Sequence, residues 1–178
     1  TGVKLWELSV FGRPHSERAI SSPIVTENLV LGVCRFTTLD KHLVAIRPAS
    51  ASQDGKAREV WRMEETMPHI PTPLISGDRL YLWADNGVIT CLRPSSGEKV
   101  WKARVENVKD TFFGSPVLAG NTIFCISAYG QVVAISDTDE FKQLGVTNLA
   151  ELCRSTPALA NGDLYLRTAK RLLCIKGS

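Results

Sequence analysis

The sequence predicts an all-β fold built from repeated four-stranded units, and three observations predict it. A Ser/Thr-Pro pair opens an apolar run four times, at Ser22-Pro23, Thr72-Pro73, Ser115-Pro116 and Thr156-Pro157, with the prolines 50, 43 and 41 residues apart. Each is followed by a turn rich in Gly, Asn or Asp and then by two further apolar runs of strand length. No segment carries sustained helical periodicity.

The elements repeat in a fixed order. The turns are Thr26–Asn28, Ser76–Arg79, Ala119–Thr122 and Asn161–Asp163, where such residues lower the cost of reversing the chain. A second strand then starts at Leu29, Leu80, Ile123 and Leu164, and a third covers Leu43–Ile46, Val88–Leu92, Val132–Ile135 and Leu172–Ile175. One position of the third strand holds only small residues, Ala45, Cys91, Ala134 and Cys174, which predicts close packing against a neighbouring sheet. A fourth strand ends on tryptophan in "DGKAREVW" (Trp61) and "SGEKVW" (Trp101), and "TGVKLW" (Trp6) repeats the pattern at the start of the chain. In the third repeat Leu144 is read as the stand-in for that tryptophan. Thr147–Arg154 is read as a single helical turn capped by Thr147 or Asn148.

A four-strand unit of about 40–45 residues is the signature of a β-propeller blade. The blades are placed at 20–62, 70–104, 113–146 and 155–178, in a single domain or half-propeller over 1–178. Residues 3–10 form an orphan last strand. It either closes the ring on the fourth blade or completes a blade whose other strands lie upstream, and an open ring would self-associate through its free ends.

Composition excludes several classes. The formal net charge is +3, with no basic run interleaved with aromatics, so nucleic acid is not the partner. No uncharged apolar stretch reaches the ~18 residues of a membrane span. The five cysteines, Cys34, Cys91, Cys125, Cys153 and Cys174, have no zinc spacing. Cys91, Cys125 and Cys174 lie inside apolar strands and read as small packing residues. His15, His42 and His69 form no ligand motif. The one acidic cluster, Asp137–Glu140, falls in a turn and reads as solvated loop.

The stretch Gly87–Trp101, "GVITCLRPSSGEKVW", together with "TGVKLW", "DGKAREVW" and the Ser/Thr-Pro starts, resembles the PQQ-like (quinoprotein) propeller repeat over essentially the whole chain. The resemblance implies a ring of seven or eight blades, of which four are present. It also implies an extracytoplasmic, periplasmic setting. The family contains PQQ-dependent dehydrogenases and a non-catalytic, BamB-like branch. A quinone dehydrogenase needs a catalytic Asp beside a Ca²⁺ held by carboxylates and amides, and no such constellation can be assembled from this sequence. The expected function is therefore a non-enzymatic protein-interaction or ligand-binding scaffold of the bacterial cell envelope, with a protein or peptide partner and no cofactor or metal. The alternative is a fragment of a PQQ-dependent dehydrogenase, and only there does PQQ enter.

In propellers the inter-blade connections and the turns between second and third strands share one end. That end is the expected binding face, and its candidate residues are His15, Arg18, Arg35, Asp40, Glu65, His69, Asp85, Asp110, Phe112 and Tyr129. They carry both charge signs and aromatic rings, a composition suited to a protein or peptide partner.

Overall fold

The computed structural model describes residues 2–11, 20–36, 40–65 and 67–177. Among the described residues, fifteen strands form four separate antiparallel sheets, each in sequence or reverse-sequence order. The first sheet holds β1 (Ile24–Val25), β2 (Val30–Phe36), β3 (Asp40–Arg47) and β4 (Arg58–Met63). The second holds β5 (Leu74–Ser76), β6 (Arg79–Trp83), β7 (Val88–Leu92) and β8 (Lys99–Arg104). The third holds β9 (Val117–Ala119), β10 (Thr122–Ile126), β11 (Gln131–Ser136) and β12 (Gln143–Asn148). The fourth has three strands, β13 (Ala158–Ala160), β14 (Asp163–Arg167) and β15 (Leu172–Ile175). A 3₁₀ turn, Ala49–Ala51, lies in the insertion before β4.

Each sheet is one propeller blade. The short first strands β5, β9 and β13 lie side by side, and the fourth strands lie farthest from them in each sheet order. Residues 2–10 carry no strand pairing. Instead, Arg62 donates to the Val10 carbonyl (2.7 Å), and the Phe11 ring lies over Gly32 of the first blade.

Stacking of the blades produces the core. One apolar cluster joins blades one and two around Leu31, Leu43, Ala45, Leu80 and Leu92. A second joins blades two and three around Tyr81, Cys91, Ile123 and Val133, and a third joins blades three and four around Ile126, Val132, Leu164 and Leu166. The period-2 alternation of side chains gives every middle strand two apolar faces, one for each neighbour.

The strand-three slot for small residues has a direct cause. Ala45 pairs with Trp61 and Cys91 with Trp101, so an indole on the adjacent strand lies beside each slot. A register shift follows immediately, at Ala45/Ile46 and Cys91/Leu92, as in a β-bulge that re-aims the strand. Each indole reaches the next blade. Trp61 Nε1 donates to the Pro94 carbonyl (3.1 Å), and Trp101 Nε1 to that of Thr138 (3.1 Å). Trp101 also sits between Tyr81 and Phe141, with ring centroids 5.8 and 5.4 Å away, tilted geometries that favour aromatic pairs. Gly97 is required twice at this joint. Its φ is 75°, and a Cβ there would come within 2.8 Å of the Trp61 ring.

The third blade departs from the expectation. Ala134 pairs with Gly145, not Leu144, so glycine occupies the tryptophan position and Leu144 points elsewhere. The chain takes an extra step in the turn before β12, which shifts the register by one residue. The expected helical turn at 147–154 is also absent. Thr147 and Asn148 finish β12, and the Asn148 side chain accepts from the Ala150 amide (2.8 Å). Leu149 and Cys153 then donate to the carbonyls of Gly130 and Ala128, backbone bonds that a helix would forfeit. Cys174, placed in the small-residue slot, is exposed, because no fourth strand lies beside β15 among the described residues.

The Ser/Thr-Pro motif also gains a physical role. The Ser22 amide donates to Thr72 Oγ1 (3.0 Å), Thr72 to Ser115 Oγ (2.9 Å) and Ser115 to Thr156 Oγ1 (3.0 Å). Each hydroxyl captures the amide of the equivalent residue one blade earlier, and the following proline has no N–H that needs a partner. Replacing Thr72 by Val keeps the shape and removes one acceptor. Stability is expected to fall by about 1 kcal/mol, with faster amide exchange at Ser22 but not at Ser115. Equal protection of Ser22 in both proteins would refute this role.

Candidate functional site

The turns β2–β3, β6–β7, β10–β11 and β14–β15 and the connections between blades lie at one end, because antiparallel strands alternate direction. Of the ten candidate residues, His15 and Arg18 lie outside the described residues. Arg35 and Asp40 are placed by backbone pairing at the tip of the β2–β3 hairpin.

The carboxylates at this end tie each connection to the turn of the blade that follows. Asp85 Oδ1 accepts from the His69 amide (2.9 Å), and its other oxygen lies 3.8 Å from the His69 imidazole. Asp110 accepts from the amides of Thr111 (2.6 Å) and Tyr129 (2.7 Å). Glu151 repeats the device in the fourth blade, accepting from the Thr168 hydroxyl and pairing with Arg171. These contacts hold its carboxyl below the usual range. Glu65 pairs with Lys99 (2.9 Å) and Lys102 (3.4 Å), which lowers its pKa chiefly through the Lys99 hydrogen bond.

Phe112 is not a surface contact. It is fully buried and packs on Trp83 with centroids 5.4 Å apart. Its neighbour Phe113 is the ring nearer the surface, with the Arg154 guanidinium 5.0 Å from its centroid. Tyr129 is 68% exposed, its amide fixed and its ring outside.

A cleft of about 670 Å³ opens between the β6–β7 turn and the connection from blade two to blade three. Asn86, Arg104, Asn107, Lys109 and Asp110 line it, over an apolar floor of Val105 and Val108. Arg104 donates to the Asn86 carbonyl across it, and Asn107 adopts a φ of 59°. Of these only Asp110 is a candidate from the sequence. Arg104 ends the fourth strand, and strand ends beside a connection are the signal that would have found it. Among the described residues, no group of three or more His, Cys, Asp or Glu is placed to hold a metal ion, and no helix is long and apolar enough to cross a membrane.

The opposite end carries an ionic network that replaces the expected solvated loop. Asp137 of the third blade accepts from Arg79 Nε (2.9 Å), the Tyr81 hydroxyl (2.6 Å) and the Ser76 hydroxyl of the second blade. Asp139 pairs with Arg93 (2.6 Å) and Arg79 (3.1 Å). Burial opposes ionisation of Asp137, but the bonds from Ser76, Tyr81 and Arg79 outweigh it and hold its carboxyl below the usual range. Burial, and then the bond to Asp137, push the Tyr81 hydroxyl well up. Burial likewise raises the Cys91 thiol to about 11 and pushes the Cys125 thiol up, which favours the protonated form of both. Cys34, Cys91, Cys125 and Cys153 are buried, and Cys174 is exposed.

Fold and site together define a propeller of PQQ-like repeats. The family described as outer membrane protein assembly factor BamB matches residues 1–177, and the chain belongs to it. No curated protein matches the sequence. Solved structures share the fold. BamB from Moraxella catarrhalis has 20% identity over 84% of this chain and 43% of its own, with a TM-score of 0.63. The quinohemoprotein alcohol dehydrogenase ADHIIG from Pseudomonas putida HK5 has 10% identity over 84% of this chain and 28% of its own, with a TM-score of 0.65. The computationally designed Ika4 protein has 9% identity over the full length of both chains, with a TM-score of 0.65. The chain spans less than half of the BamB structure and under a third of the dehydrogenase.

The Asp137 network sets a pH dependence. A carboxyl depressed in the folded state contributes stability above its unfolded pKa of about 4, and loses it as pH falls through the folded value. Asp137→Asn is expected to cost about 2–3 kcal/mol at pH 7. Its urea midpoint should then fall less than that of the parent between pH 5 and 2. Parallel curves would show that the ionisation of Asp137 contributes nothing to the pH dependence.

Proposed function

We propose that the chain is a non-enzymatic protein-interaction module of the bacterial cell envelope, periplasmic, with an unfolded or partly folded polypeptide as partner. The observation that carries this reading is the family match across residues 1–177, to a family described by outer-membrane protein assembly. The geometry is compatible with it. The carboxylates of the candidate face hold loops in place, and rigid loops present Tyr129, Lys109 and Arg104 beside a cleft of mixed polarity. An exposed aromatic flanked by charged groups is the composition of a protein-binding surface.

The likeness in fold to quinohemoprotein dehydrogenases favours a second reading, a fragment of a PQQ-dependent dehydrogenase with its catalytic residues in other blades. That reading expects the full-length protein to change the absorbance of PQQ in the presence of calcium.

The test of the first reading is binding of a urea-unfolded outer-membrane β-barrel protein, diluted into the chain and followed by fluorescence anisotropy. Saturable binding is expected. It should weaken about fivefold in the double variant Tyr129→Ser, Lys109→Glu, and stay unchanged in Glu140→Lys at the opposite end. Equal binding by all three proteins, or none by the parent, overturns the proposal.

A further inference from the structure

The joint between the third and fourth blades lacks the indole that fills the other two, and the space stands open. Gly145 occupies the position of Trp61 and Trp101. A Cβ on Gly145 would meet no atom within 4 Å. Ala45 and Cys91, each beside an indole, are wholly buried, whereas Ala134 beside Gly145 is only partly so. A groove of about 610 Å³ runs between these blades, with walls that include Phe124, Val132, Thr147, Leu159, Leu164 and Ile175.

Strand register identifies each wall residue with a partner in the first joint. Phe124 and Val132 correspond to Leu31 and Leu43, through their places relative to Ala134 and Ala45. Thr147 corresponds to Met63, and Leu159, Leu164 and Ile175 correspond to Ile75, Leu80 and Leu92. Those six residues of the first joint all belong to the cluster in which Trp61 is packed. The groove thus adjoins the vacant tryptophan position at Gly145, with two wall residues shortened (Thr147 for Met63, Val132 for Leu43) and one enlarged (Phe124 for Leu31). Leu80 and Leu92 are fully buried, whereas Leu164 is 8% and Ile175 45% exposed, Ile175 lying on β15, which has no fourth strand beside it among the described residues.

We propose that this groove binds a flat aromatic ring of indole size, supplied from outside the chain in place of the missing side chain. The space is within the range of small-molecule pockets, about 300–1,000 Å³, and is continuous with the apolar core between blades three and four. An apolar space of this kind gains free energy from any ring that displaces water from its walls. The polar edge matches too. In the filled joint the indole N–H donates to Pro94, two residues past Leu92. Two residues past Ile175 is Gly177, whose backbone lines the groove. The inference is independent of the envelope role proposed above.

Indole itself is the probe, titrated into the methyl-labelled full chain. Methyl shifts are expected at Leu159, Leu164 and Ile175, and none at Ile75, Leu80 and Leu92, where Trp61 already fills the same space. Gly145→Trp, which installs the ring covalently, should raise the melting temperature and weaken indole binding about tenfold or more. Thr147→Met, which restores the methionine of the first joint, should weaken it by a smaller factor and serves if the tryptophan variant does not fold. N-acetyltryptophanamide separates the two sources of the ring. Binding of both probes assigns the groove to a tryptophan side chain of a polypeptide, and binding of indole alone to a free small molecule. Absence of methyl shifts with either probe, equal shifts in both joints, or unchanged indole binding by both variants overturns the proposal.

Discussion

The docking of one blade on the next is the constraint from which most of this structure follows. A four-stranded sheet with two apolar faces cannot exclude water from both, so each blade is stable only against neighbours. The three apolar clusters lie between sheets and not within them. The fourth-strand tryptophan enlarges the contact, because an indole buries more apolar area than an aliphatic side chain and still finds a carbonyl for its N–H. Glycine at position 97 and small residues at 45 and 91 clear the space that the ring needs.

Polar groups fix the stacking geometry that apolar contact leaves loose. Three hydroxyls of the Ser/Thr-Pro pairs tie consecutive blades near their first strands. Asp85, Asp110 and Glu151 tie the connections at one end, and Asp137 with Asp139 joins blades two and three at the other. Hydrogen bonds to buried or half-buried carboxylates are directional, and a missing partner costs more than the bond itself contributes. They therefore select one angle between blades. The candidate face is rigid for the same reason, with its carboxylates turned inward and Tyr129 turned outward.

Family membership and fold do not by themselves choose between binding and catalysis, since propellers of this repeat serve both and function resides in the site. The residues that bear on the choice are therefore those at the blade ends and in the unfilled third joint, not the tryptophans that define the repeat.

Strand content, repeat boundaries and the tryptophan motif were legible in the sequence because they arise from local alternation, turn chemistry and spacing. The role of the small-residue slot was legible only in part. Its size pointed to close packing, but that the neighbour is an indole on the adjacent strand follows from register alone. Register also decided that Gly145 and not Leu144 takes the tryptophan position, since the length of the preceding turn sets it and no local pattern marks it. The burial of Phe112 and the pairing of Asp137 were not legible for a related reason. A phenylalanine beside a second phenylalanine, or an acid among acids, has no sequence mark that tells inside from outside until the next blade covers it. The sequence by itself determined that blades form, because each strand's alternation is a short-range property. Only the tertiary structure decided which side chains meet between them, because contacts between residues 33 to 61 positions apart depend on how whole sheets stack.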